Sequence, residues 1–170
     1  MSEFEQEHLR PFLDYLSVSN KESDRGKVLV TLAQLDEMLG AILKSFCVDG
    51  AATDELMNGA NAPFNSVYNK TNAALALGLI TDAEYRDATL MRRIRNEFAH
   101  SINASFSDQS IQSKAMLLEF GLGYLIERSD PILQDPRTRF LLSSTALISA
   151  LCNRTHYVAD DKRKLRDWPT

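Results

Sequence analysis

Apolar residues in this chain recur at intervals of three and four, the spacing of a helix face rather than of a strand. The longest such run is Val28, Leu32, Leu35, Leu39, Ile42 and Phe46. It predicts one helix from about Asp24 to Cys47 with an inward-facing stripe. A shorter helix is expected before it, Glu5 to Leu16, with Phe4, Leu9, Phe12, Leu13 and Leu16 as its apolar positions. Pro11 inside that segment predicts either a kink or a start near Arg10. Thr53 is expected to cap a short helix through Met57, and the turn-forming stretch Asn58 to Ser66 reads as a loop. Ser66 or Asn65 would then cap a helix to about Leu77, with Gly78 as its left-handed stop. Thr81-Asp82-Ala83-Glu84 fits a capping box. It opens a helix to His100 whose apolar positions include Tyr85, Ala88, Met91, Ile94 and Phe98.

Further along, Ser107 or Asp108 predicts the start of a helix over Ile111 to Leu118. The stretch Phe120 to Ser129, with Gly121 and Gly123, gives no definite element. Asp135-Pro136 is a helix start, a capping carboxylate followed by proline in the first turn. That helix runs to about Arg154 with Phe140, Leu141, Ala146 or Leu147, Ile148 and Leu151 inward. The tail from Thr155 either extends it or frays. No run of alternating β-branched and aromatic residues competes with these helices. The expectation is an all-α fold: one domain over residues 1–170, a bundle of about six to eight helices. The helices 24–47, 81–100 and 136–154 should form its core.

Composition narrows the function classes. A net charge of −4 over 170 residues offers no general basic face for phosphate neutralisation, which nucleic-acid binders need. Local basic clusters exist at Arg92-Arg93 with Arg95, at Arg137 with Arg139, and at Lys162-Arg163-Lys164 with Arg166. No apolar run is long enough to span a bilayer. The start, Met1-Ser2-Glu3-Phe4-Glu5, is acidic and unlike a secretory signal. The two cysteines, Cys47 and Cys152, lie among apolar helical residues and read as buried free thiols of a cytoplasmic protein.

Three chemistries compete. For a metal, His8, His100 and His156 are isolated and neither cysteine has a second thiol at ligand spacing. No Gly-rich phosphate loop or Gly-x-Ser-x-Gly turn is present, so no metal and no cofactor is expected. For a DNA-reading helix pair, the helices joined by Leu77-Gly78-Leu79-Ile80 have suitable length. The second, however, opens with Asp82, Glu84 and Asp87, whose carboxylates would repel phosphate in a groove. The third is Arg95-Asn96-Glu97-Phe98-Ala99-His100, a fixed cation, an amide and the side chain that titrates near neutrality within a turn and a half. As architecture, Arg95 and His100 would close a polar pocket against Asp36 or Glu37, or His100 would cap the helix end. As chemistry, His100 would be general acid or base, Arg95 a phosphate clamp, and Asn96 the residue orienting ribose or imidazole. RNA would then be the substrate, because its own 2′-hydroxyl is the nucleophile and no metal is required.

Two resemblances follow from these residues. The block Ala62-Pro63-Phe64-Asn65-Ser66, Ala74-Leu75-Ala76-Leu77-Gly78-Leu79-Ile80, Glu84-Tyr85, Asp87, Ile94-Arg95-Asn96 and Ala99-His100 resembles the mannitol operon repressor (MltR) family. So do Asp24-Arg25, Leu35-Asp36-Glu37 and Leu39 upstream, and Pro136-Arg137 with Arg139-Phe140 downstream. The likeness covers about residues 20–155, leaving 156–170 as a tail; Ala62 stands where the family pattern would have Gly. It implies an all-helical bacterial transcriptional regulator of sugar-alcohol uptake without an evident DNA-binding motif. Such a protein would act mainly through protein partners, as a homodimer, with any DNA effect indirect or weak and no membrane association. The hexapeptide Arg95 to His100 is also similar to the Arg-x4-His signature of HEPN domains, helical and often dimeric, some of them metal-independent ribonucleases of toxin or defence systems. That resemblance implies Arg95, Asn96 and His100 as catalytic residues.

Overall fold

The computed structural model describes residues 3–59, 61–125, 127 and 130–169. The expected inward positions Phe4 and Leu9, with His8, have side chains outside that description, as do Ala60 and Ser129. Among the described residues the chain is helical throughout: α1 (Glu3–Ser19), α2 (Asp24–Phe46), α3 (Ala51–Met57), α4 (Val67–Ala76), α5 (Asp82–His100), α6 (Gln109–Ala115), α7 (Leu122–Leu125), α8 (Pro136–Cys152) and α9 (Arg154–Ala159). A 3-10 turn over Pro131–Gln134 precedes α8. Seven of the α-helices have seven residues or more, and the fold is all-α, as the periodicity predicts.

The helix ends show why the chain breaks where it does. Ser23 Oγ accepts from the Gly26 amide, Ser66 Oγ from Asn69 and the Asp135 carboxylate from Thr138, so three helices open on a side-chain cap. At α5 both halves of the capping box form: Glu84 N donates to Thr81 Oγ and Thr81 N to Glu84 Oε2. At the end of α4, Gly78 takes a φ of 71°. Its N–H bonds Leu75 O at 2.9 Å and the Leu79 N–H bonds Ala74 O at 2.8 Å. This Schellman closure needs a residue that tolerates left-handed backbone. Thr53 is not a cap. Helix α3 starts two residues earlier, after Gly50, and the Thr53 hydroxyl donates instead to Val48 O at 2.6 Å. Nor does the first helix begin near Arg10: α1 starts at Glu3 and runs through Pro11.

Helix α2 is the centre of the bundle, with α1, α4, α5, α8 and α9 packed around it. This explains why it buries Thr31, Met38 and Leu43 in addition to the six predicted stripe residues: a helix enclosed on several sides hides more than one face. Phe98 of α5, Phe106 of the following loop and Phe140 of α8 form an aromatic chain with centroids 5.2 and 5.4 Å apart, tilted as ring quadrupoles favour. Cys47 and Cys152 are not joined in a disulfide and are only half-buried; burial pushes both thiols above their usual pKa, which keeps them protonated near neutral pH. The tail from Thr155 stays helical as α9, set off from α8 at Asn153. After Ala159 it turns back onto the end of α2, where the Arg163 N–H donates to Phe46 O at 2.8 Å and its guanidinium lies 4.6 Å from the Phe46 ring centroid. Among the described residues, no helix is long and apolar enough to cross a membrane.

Candidate functional site

The side chains that matter most are placed by α5. Its inward stripe, at spacings of three and four, includes Glu84, Asp87, Met91, Ile94 and Phe98, all buried. That stripe turns residues 92, 95 and 96 toward the start of α4 and one side of α2. There an open cleft of about 510 Å³ is bounded by Leu29, Leu32, Ala33 and Asp36 of α2, by Asn65 to Tyr68 at the head of α4, and by Arg92, Arg95 and Asn96. Apolar side chains from α2 and Val67 line part of it; polar groups from α5 and the α4 cap line the rest.

The electrostatics of this cleft are one-sided. Arg92 lies 5.0 Å from the Tyr68 ring centroid, a contact that orients the guanidinium without neutralising it. Arg95 makes a long contact of 3.4 Å to Asn96 Oδ1. Among the described residues neither arginine has a carboxylate within ion-pair distance, because the nearby acids are engaged elsewhere. Asp36 Oδ2 is held by Lys70 Nζ at 2.8 Å, and its Oδ1 is buried without a hydrogen-bond partner. Glu97 faces away and meets Lys114 at 3.0 Å. The Lys114 hydrogen bond and charge hold the Glu97 carboxyl below its usual range, with His100 adding a smaller pull in the same direction. The result is a cationic cleft in a chain whose net charge is −4.

The four residues expected to share a polar pocket do not gather there. Asp36 and Arg95 both line the cleft, but Asp36 is paired with Lys70 rather than with Arg95. Glu37 is exposed and borders a different surface hollow with Arg10, Asp14 and Gln34. His100 is exposed at the end of α5, beyond the cleft. It is not the helix cap. That role falls to Arg25 of α2, which donates to Ser101 O at 2.9 Å and Ile102 O at 3.2 Å, with a longer contact to Ala99 O. Arg95 and Asn96 therefore sit together in the cleft, and His100 stands one turn further along the same helix face.

Sequence reading missed the two polar clusters that frame the site. Glu84 (2% exposed) is paired with Arg154, whose Nη2 lies 2.6 Å from Oε1; Arg154 Nη1 also donates to Leu79 O at 2.9 Å. Asp87 (0% exposed) accepts from the backbone N–H groups of Glu119 and Phe120 at 2.9 and 2.8 Å and from the Ser143 hydroxyl at 2.8 Å. Both acids occupy the apolar stripe of α5, at three- and four-residue steps from Met91 and Ile94. That register was the available signal. It also revises the case against a DNA-reading helix: of the three carboxylates at the head of α5, two point inward, and Asp82 alone is exposed. Residues of the repressor-like block elsewhere are likewise architectural. Asp24 pairs with Arg137 at 2.7 Å, and Arg139 donates to Leu118 O at 2.8 Å and to Leu133 O at 3.3 Å. Among the described residues, no three His, Cys, Asp or Glu side chains converge as a metal-ligand set.

The molecule is thus an all-α bundle carrying an arginine-lined cleft between its second, fourth and fifth helices. No protein-family model matches the chain, and no curated protein matches its sequence. Its fold is similar to that of a chain in the X-ray structure of the MtlR-HPr complex from Escherichia coli. The TM-score is 0.64 at 24% identity, covering 84% of this chain and 99% of that one. At this identity the likeness is one of fold alone.

Proposed function

We propose that this chain is a bacterial, cytoplasmic regulator of the mannitol operon repressor type, acting through protein–protein contacts as a homodimer. Its effect on DNA is indirect or weak, and it needs no cofactor or metal. The observation that carries the reading is the fold likeness, which spans nearly all of a chain from a complex of MtlR with HPr. The repressor-like sequence block and the acidic net charge support it, since a protein with no general basic face depends on other macromolecules to reach DNA. An HPr-type protein is the first partner to test. Mixing the purified chain with HPr from the same bacterium is expected to give a complex on gel filtration, with the free chain running at twice its monomer mass. Two results would overturn the reading: no association at concentrations of about 100 μM, a weak-affinity limit, or tight sequence-specific DNA binding at physiological salt.

The second reading is a HEPN-type ribonuclease. One observation favours it: Arg95 and His100 are both exposed on α5, and Asn96, beside Arg95, lies one turn before His100 on the same helix face. His100 would accept the proton of a ribose 2′-hydroxyl as that oxygen attacks the adjacent phosphorus. The 5′-oxygen would leave, taking up a proton, and a cyclic phosphate would remain; Arg95 would steady the phosphorane. The pure protein is expected to show no metal-independent RNA cleavage. Cleavage that is present in the native chain and abolished by His100→Ala would install this reading in place of the first. Cleavage unchanged by that substitution would be contamination and would remove it.

A further inference from the structure

The cleft between α2, α4 and α5 is built like a receptor for a small anion. Its volume of about 510 Å³ lies within the range of small-molecule sites, about 300–1,000 Å³. Its polar groups are mainly donors. Arg92 and Arg95 bring two guanidiniums without carboxylate partners among the described residues. Asn96 has its Oδ1 turned to Arg95, which leaves the amide N–H groups to donate. Ser66 Oγ accepts from the Asn69 N–H at 3.2 Å, so its own proton is available. The one acid in the wall, Asp36, is neutralised by Lys70 and has one oxygen buried. A donor-rich, positively charged recess calls for a ligand rich in acceptors and negative charge. Guanidinium forks match a phosphoryl group through paired N–H···O bonds, while Leu32, Ala33 and Val67 offer an apolar seat for a short carbon skeleton.

We propose that this cleft binds a small phosphate monoester, with Arg92 and Arg95 holding the phosphoryl group and Asn96 and Ser66 donating to it or to hydroxyls beside it. The site goes beyond the partner reading and does not require it: it is tested without HPr, so either can fail alone. In the regulator it would let a soluble phosphorylated compound bias the protein's contacts.

The test uses the native chain with ribose 5-phosphate, inorganic phosphate and ribose as probes, read by calorimetry and thermal shift. Ribose 5-phosphate is expected to bind and to raise Tm by about 3 °C at ten times its Kd. Inorganic phosphate should bind more weakly and ribose not at all. Arg92→Gln/Arg95→Gln, which keeps side-chain bulk, should weaken ribose 5-phosphate binding at least about a hundredfold, the loss of two charged hydrogen-bonding groups. Should the double variant misfold by circular dichroism, Arg95→Gln alone suffices, because that side chain is exposed; a tenfold or greater loss is expected. Failure of ribose 5-phosphate to bind at about 10 mM, well above ordinary ligand affinities, overturns the proposal. So does binding that the glutamine variants leave unchanged, or affinity no better than that of inorganic phosphate. Tighter binding of a single-stranded RNA, lost in the same variants, would assign the cleft to a polynucleotide instead.

Discussion

Asp87→Ala is expected to lower the melting temperature by about 10 °C, more than any other single substitution at the site's frame. The carboxylate is fully buried; its Oδ2 accepts three hydrogen bonds, two of them from backbone N–H groups where the chain leaves α6 toward α7, and its Oδ1 meets Arg86 Nε at 3.4 Å. Alanine would leave those donors enclosed without acceptors. Each unsatisfied donor costs about 1–3 kcal/mol, so a total of roughly 4 kcal/mol is reasonable. In a chain of this length each kcal/mol moves Tm by about 2–4 °C. The loss should begin locally. Amide exchange at Glu119 and Phe120 is expected to accelerate more than exchange in α2, because the broken bonds belong to that corner. Asp87→Asn should recover much of the loss, since all three donors converge on Oδ2 and an amide oxygen placed there still accepts from them. A fall in Tm of less than about 3 °C for the alanine variant would mean that Asp87 does not organise this corner.

Arg154→Met is the second large effect. Arg154 is partly exposed (25%), but its partner Glu84 is buried (2%). Removing the cation leaves a carboxylate enclosed with only the Thr81 amide and hydroxyl as donors, and leaves Leu79 O without its side-chain donor. Breaking a buried pair from one side costs about 3–5 kcal/mol; the partial exposure of Arg154 places the expectation near 3 kcal/mol, or a Tm lower by about 9 °C. The combined variant Glu84→Gln/Arg154→Met should recover about half of that. Glutamine removes the stranded charge while its carbonyl keeps the capping bond to Thr81 N. If the double variant is no more stable than Arg154→Met, uncompensated charge is not the origin of the loss.

These two clusters also explain why the site forms. The Glu84–Arg154 pair fixes the start of α5 against α9, and Asp87 ties its first turns to α8 through Ser143. Phe98, packed on Phe106 and in turn on Phe140, fixes its end, and Arg25 closes the last carbonyls. With both ends anchored, α5 has one orientation, and Arg92, Arg95 and Asn96 are presented to α2 and α4 instead of to open solvent.

The boundaries of α2, α5 and α8, and the end of α4, were legible in the amino-acid sequence because they are set by local chemistry: apolar spacing of 3.6 residues, caps at Thr81 and Asp135, and the left-handed stop at Gly78. Each of these is decided within a few residues of where it acts. The all-helical class followed from them. What each polar residue would touch was not legible, because charge partners are chosen across the fold. Asp36 meets Lys70, 34 residues away; Glu84 meets Arg154, 70 residues away; Asp24 meets Arg137, 113 residues away. Local pattern carries no information about such encounters. Only the packed bundle decided that Arg25 rather than His100 closes α5, that Glu37 stands apart from the site, and that two arginines face a cleft whose acids are already taken. Helix formation is a near-neighbour property of the chain, whereas the field inside a cleft depends on which distant side chains packing brings within a few ångströms.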